Sequence, residues 1–132
     1  MCKIVISGQV PSLKNAKTIS YNSKTGKPFV RTEQRVKDYM EAAKLEVKSQ
    51  WRLAPLDKID NLTCVFYYKD KRTRDLSNSL DTTLDVIKKI ILKDDSAECI
   101  PEIQLHFGGY DSKNPRTELW VDFAEDNLEK TS

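Results

Sequence analysis

Leu62-Thr-Cys-Val-Phe-Tyr-Tyr68, then Lys69-Asp-Lys-Arg-Thr-Arg74, then Asp75-Leu-Ser-Asn-Ser-Leu-Asp-Thr-Thr-Leu-Asp-Val-Ile87 is the stretch whose reading decides the fold. In the first part Leu62, Cys64, Phe66 and Tyr68 alternate with Thr63, Val65 and Tyr67. Aromatic and β-branched residues at a period of two predict a central strand. In the third part Leu80, Leu84 and Ile87, continued by Ile91, recur at intervals of 4, 3 and 4. That spacing predicts a helix with one face on a core. Ser77 or Asn78 would cap its N-terminus, with Asp75 just before, where the chain leaves the strand. Between strand and helix lies a short run dominated by Lys69, Lys71, Arg72 and Arg74.

The chain changes character at Asp75, because carboxylates follow at Asp81, Asp85, Asp94 and Asp95. At about 100° per residue, Asn78 and Asp85 fall nearly together opposite the leucines, with Asp81 about one residue's rotation away. Carboxylates from a strand end, a helix face and the following loop would then converge. Oxygen-rich sets of this kind suit Mg²⁺ or Mn²⁺, which use carboxylates and waters to orient phosphates. A plainer explanation covers the same pattern. Acidic residues near a helix N-terminus are favoured by the helix dipole, and a charged face opposite an apolar stripe is usually solvated.

Outward from this stretch, Lys3 to Val10 reads as a first strand ended by Pro11. Ser12 to Lys27 reads as a loop or hairpin carrying Lys14, Lys17, Lys24 and Lys27. Thr32 is the expected N-cap of a helix running to about Trp51, with Val36, Met40, Ala43, Val47 and Trp51 as its buried stripe. Beyond the second helix, Ile103, Leu105 and Phe107 alternate until Gly108-Gly109 breaks the pattern, and a last strand is expected at Glu118 to Phe123. The expected class is α+β, a small, mostly antiparallel or mixed sheet packed with two principal helices. Residues 1–123 form a single domain in this reading, and residues 124–132 a polar tail.

Of the 132 residues 39% are hydrophobic and 32% charged, and the net charge is only +2. That balance hides an asymmetry. Residues 1–50 carry ten Lys/Arg against four Asp/Glu, residues 51–75 six against four, and residues 76–132 six against twelve. A basic half beside an acidic half suits a metal-dependent enzyme acting on a polyanion, although small domains also show it by chance. Cys2, Cys64 and Cys99 have no metal-type spacing, and no apolar run is long enough for a signal peptide or a membrane span. A cytoplasmic setting without membrane association is expected.

The order of elements, together with Val10-Pro-Ser-Leu-Lys-Asn15, Arg74-Asp-Leu-Ser-Asn78, Asp85 and Asp94-Asp-Ser96, resembles the RusA family of Holliday-junction resolvases over roughly residues 4–123. The resemblance implies a Mg²⁺-dependent endonuclease, with Mn²⁺ as a substitute, that nicks four-way DNA junctions symmetrically as a homodimer. It also makes a phage or prophage origin plausible. Matched by motif, Asp75, Asp95 and Asp85 would hold the metal, with Asn78 in support. Lys14, Asn15 and Lys17 would lie in the matching N-terminal loop, and Lys71, Arg72 and Arg74 would meet phosphates.

Two positions depart from the family pattern. Ser77 stands where many members have another catalytic aspartate, and Asp81 where many have a lysine. A neutral hydroxyl is the weaker ligand, while Asp81 returns a negative charge one helical turn further on and is counted among the candidate catalytic residues. The same departures are compatible with a branched-DNA-binding protein whose cleavage is weakened or lost. His106 and Glu98 are lesser candidates, since a strand histidine and a loop glutamate serve structure or solvation as readily as chemistry.

Overall fold

The computed structural model describes residues 1–13 and 17–124. Its elements run β1 (Cys2–Ser7), β2 (Lys17–Tyr21), β3 (Pro28–Thr32), α1 (Gln34–Gln50), β4 (Asn61–Tyr68), α2 (Leu76–Ile87), β5 (Ile103–Tyr110) and β6 (Arg116–Asp122). The alternating stretch becomes β4, and all four of Leu62, Cys64, Phe66 and Tyr68 are buried. β4 is an inner strand of a four-stranded sheet in the order β1-β6-β4-β5. It pairs antiparallel with β6 and parallel with β5, while β1 pairs antiparallel with β6. A parallel pair needs a crossover, and α2 supplies it between β4 and β5. The expected α+β class, with a mixed sheet and two helices, is what the chain forms.

Ile4 and Ile6 of β1, Val36, Ala43 and Val47 of α1, and Leu119 and Val121 of β6 join the β4 side chains in the core. Each buried Val, Leu, Ile or Phe among them contributes about 1.5–3 kcal/mol by leaving water. Trp51 closes one end, edge-on to Phe123 with ring centroids 5.5 Å apart. At the outer edge of β1, the Gln50 amide of α1 donates to the Val5 carbonyl and accepts from the Val5 N–H, both at 2.8 Å. That docking covers an edge that would otherwise expose unpaired backbone.

Several boundaries differ from the sequence reading for local reasons. Residues 12–27 do include a hairpin strand, β2, which pairs with β3. Thr32 belongs to β3, in register with Lys17, so Glu33 takes the N-cap place of α1. Asp75 holds the N-cap place of α2, and Ser77 and Asn78 lie inside the helix. The buried face of α2 is Ser79, Thr82, Thr83, Val86 and Ile87, whereas Leu80 and Leu84 are only partly buried. Small hydroxyl residues let the helix approach closely and satisfy their own oxygens there. Thr82 Oγ1 donates to the Pro11 carbonyl at 2.6 Å, and Thr83 Oγ1 to the Ser79 carbonyl at 2.9 Å. Ile91 is buried but lies beyond the helix, in a turn where its carbonyl accepts from the Leu56 N–H at 2.7 Å. Gly108-Gly109 does not end β5, which continues to Tyr110 through a bulge. The tail from residue 125 onward lies outside the described residues. Among the described residues no helix is long and apolar enough to cross a membrane.

Candidate functional site

β4 hands the chain to α2 at a place fixed from both sides. The Tyr68 hydroxyl and Ser79 Oγ share a buried hydrogen bond of 2.8 Å, pinning the first turns of α2 to the end of the strand. Burial raises the Tyr68 phenol above its usual range, against the lowering pull of Ser79 and Arg74, so it stays protonated at neutral pH. One residue on, the Lys69 N–H donates to Gln9 Oε1 at 2.9 Å, tying the segment after β4 to the segment after β1.

The basic run is a closed turn. Arg74 Nη2 meets Asp70 Oδ1 at 2.7 Å, and its Nη1 donates to the carbonyls of Asp70 and Arg72. The guanidinium also lies over the Tyr68 ring, 5.0 Å from the centroid. The Arg74 hydrogen bond, then the Arg72 N–H, hold the Asp70 carboxyl below the usual carboxylate range. Arg74, expected as a phosphate contact, is therefore committed mainly to holding the turn. Arg72 has 82% of its side chain exposed and lies 3.9 Å from Asp70. Lys69 and Lys71 make no ion pair among the described residues and are exposed.

These contacts leave a polar cleft of about 580 Å³ walled by Gln9 to Ser12, Arg35, Lys69, Arg72 to Asp75, Asn78 and Ser79. Four cations and one carboxylate, Asp75, therefore share its wall. Asp75 caps α2 by position, yet its side chain makes no capping hydrogen bond. The cleft lies at the carboxyl end of a parallel strand and the amino end of a helix, where backbone N–H groups and the helix dipole favour anions. Arg35 is partnered by Glu33 at 2.6 Å. Among the described residues the buried Ser12 Oγ has no hydrogen-bond partner.

The other expected residues are distributed elsewhere. Asn78 shares the cleft with Asp75, while Ser77 and Asp81 are exposed and not part of its wall. Asp85 lies in a separate groove between the helices, with Val36, Lys37, Met40, Glu41 and Lys44 of α1. Asp94 and Asp95 lie beyond the other end of α2, each 3.7 Å from the Lys88 ammonium. A helix of 12 residues is about 18 Å long. Among the described residues, no group of three or more His, Cys, Asp or Glu side chains is placed to hold a metal ion. One carboxylate sharing a wall with four cations is a composition that suits a phosphate.

Lys14 and Asn15 lie outside the described residues, and Lys17 begins β2. His106 and Glu98 are both exposed, away from the cleft wall. Gln9, Arg35 and Ser79 are wall residues that sequence reasoning missed; Gln9 and Arg35 reach the cleft only through tertiary packing and carry no local signal. Lys69 was visible as the head of the basic run. No protein-family model and no curated protein matches the chain.

Proposed function

We propose that this chain is a structure-selective DNA endonuclease of the RusA kind, a Holliday-junction resolvase that nicks four-way junctions as a homodimer. The observation that supports it most is the cleft whose wall Lys69, Arg72, Arg74 and Arg35 share with Asp75 at the start of α2. Lys69 and Arg72 would neutralise neighbouring phosphates of one strand, and the first turn of α2 would add N–H donors. Arg74 would keep the turn in shape, and Asp75 and Asn78 would face the phosphate from the helix side. Mg²⁺, or Mn²⁺ in its place, belongs to this reading through the resemblance alone. A two-fold dimer matches two symmetric incisions, and a cytoplasmic, phage or prophage setting goes with it.

A second reading, a branched-DNA-binding protein without cleavage, is favoured by one specific observation: Lys88 holds Asp94 and Asp95 at the end of α2 away from Asp75. A synthetic four-way junction incubated with the protein and Mg²⁺, Mn²⁺ or chelator separates the two. Paired nicks that need the metal are the expected result. Tight, salt-sensitive binding without nicks selects the second reading, and absence of both overturns the nucleic-acid assignment.

A further inference from the structure

The sheet face that buries Leu62, Cys64, Phe66 and Tyr68 continues onto β5, where Ile103, Leu105, Phe107 and Tyr110 stand beside them in register. Phe107 and Tyr110 are three positions apart, so a regular strand would send them to opposite faces. The bulge between Phe66 and Tyr67 absorbs Gly108 and returns Tyr110 to the face of Phe107. Glycine is required at that point, because a Cβ at Gly108 would stand 2.8 Å from the side chains of Tyr67 and Val65.

The bulge thus brings two aromatic rings together edge to face, centroids 5.1 Å and planes 66° apart, with Tyr68 stacked 6.1 Å from Phe107. Phe107 is 52% and Tyr110 50% exposed. They border an opening of about 290 Å³ that the basic turn closes on its other side with Lys71, Arg72 and Arg74. Aromatic rings flanked by cations are the composition of single-strand binding grooves, where bases stack and cations follow the backbone.

We propose that Phe107 and Tyr110 form a stacking platform for an unpaired DNA base, with Lys71 and Arg72 holding the adjoining phosphates. The platform rests on the nucleic-acid reading of the neighbouring cleft, with which it shares Arg72 and Arg74. It adds a preference that the cleft alone does not supply: a strand leaving the duplex at a branch would be held by its base as well as its backbone. Stacking tolerates every base, so the preference is for exposure of the base rather than for its identity.

The test is fluorescence anisotropy on the full chain with three probes: an oligothymidylate strand, an abasic strand of equal length, and a blunt duplex. Phe107→Ala and Tyr110→Ala are expected to weaken oligothymidylate binding by roughly 5- to 100-fold, leaving the abasic strand and the duplex unchanged. Phe107→Trp restores stacking and should bind like the wild type. If an alanine variant melts early, Phe107→Leu keeps the apolar bulk without a π-face and should show the same selective loss. Equal affinity of wild type and variants for oligothymidylate, with duplex binding intact, overturns the platform and leaves the cleft reading standing. A variant that changes self-association but not oligothymidylate affinity overturns it too, assigning the patch to a second copy of the chain. Wild-type protein that binds none of the probes overturns both readings.

Discussion

At the two ends of α2 the same ingredients are arranged in opposite ways. At the amino end one carboxylate, Asp75, stands among Arg35, Lys69, Arg72 and Arg74; at the carboxyl end one ammonium, Lys88, stands between Asp94 and Asp95. Only the single residue at each end, Asp75 at the amino end and Lys88 at the carboxyl end, has the sign that the helix dipole favours; the charges grouped around it have the opposite sign. The amino end is also braced by the Tyr68–Ser79 bond and the Arg74–Asp70 clamp, and it opens into a cleft. The Lys88 pairs are long and partly exposed. Acidic residues that crowd together in sequence are therefore not one cluster in space, because a three-turn helix stands between them.

The largest expected effect tests whether that separation matters for chemistry. Asp75→Asn should lower junction cleavage by at least about 100-fold, as loss of one preorganised active-site group does, with junction affinity essentially kept. Asp95→Asn, measured in parallel, sharpens the comparison. An equal loss would mean that the acidic end joins the cleft in the DNA-bound assembly, and an unchanged rate would keep the two ends functionally apart.

Next in size is the brace. Ser79→Ala leaves the buried Tyr68 hydroxyl without its partner and should cost about 1–3 kcal/mol, read as a lower denaturant midpoint at unchanged slope. Smaller again is the electrostatic contribution of the cleft. Lys69→Ala or Arg72→Ala should each flatten the dependence of log affinity on log salt by about 0.9, and Lys88→Ala should leave it alone. A slope that moves with Lys88 instead would place DNA at the other end of α2.

The Arg74–Asp70 clamp carries a pH signature of known sign. The Asp70 carboxyl titrates below its ordinary value because Arg74 and the Arg72 N–H favour its charged form. Its contribution is present above the unfolded value of about 3.9 and disappears as pH falls through the lower folded value. The melting difference between wild type and Asp70→Asn should thus be constant at neutral pH and close only in strong acid. The smallest effect belongs to the carboxyl end, where Lys88→Met should change stability by less than about 0.5 kcal/mol.

How much of this could be read from residues alone depended on whether the determining contact was local. β4 was legible because burial on one face writes a period of two into Leu62 to Tyr68. α1 was legible because Val36, Ala43 and Val47 keep the helical period. The buried face of α2 was read only in part: Ile87 is buried and Leu80 and Leu84 pack against the core, but Thr82 and Thr83 are buried too, their hydroxyls satisfied by the Pro11 carbonyl and by the Ser79 carbonyl of the same helix. Gly108-Gly109 looked like a stop because a bulge and a turn use the same residue. The cations of the cleft were visible as a run, but their division of labour was not, since Arg74 serves Asp70 and Tyr68 while Arg72 remains largely exposed. Distances between carboxylates are tertiary facts, and spacing could only propose that Asp75, Asp85 and Asp95 meet.

Cys64, buried at the centre of β4, has a further use. Burial pushes its thiol up to about 12, so in the native sheet it is neither charged nor reachable by an alkylating reagent. In the unfolded chain the same thiol ionises near pH 8.5 and reacts through its thiolate. A pulse of iodoacetamide would therefore act as a clock for opening of the β4 region, with mass spectrometry separating Cys64 from the more accessible Cys2 and Cys99. Because the native thiol holds its proton where the unfolded one has lost it, alkali should erode stability between about pH 8.5 and about 12. One sulfur in the middle of the sheet would then report, without any engineered residue, how often the central strand of the molecule comes apart.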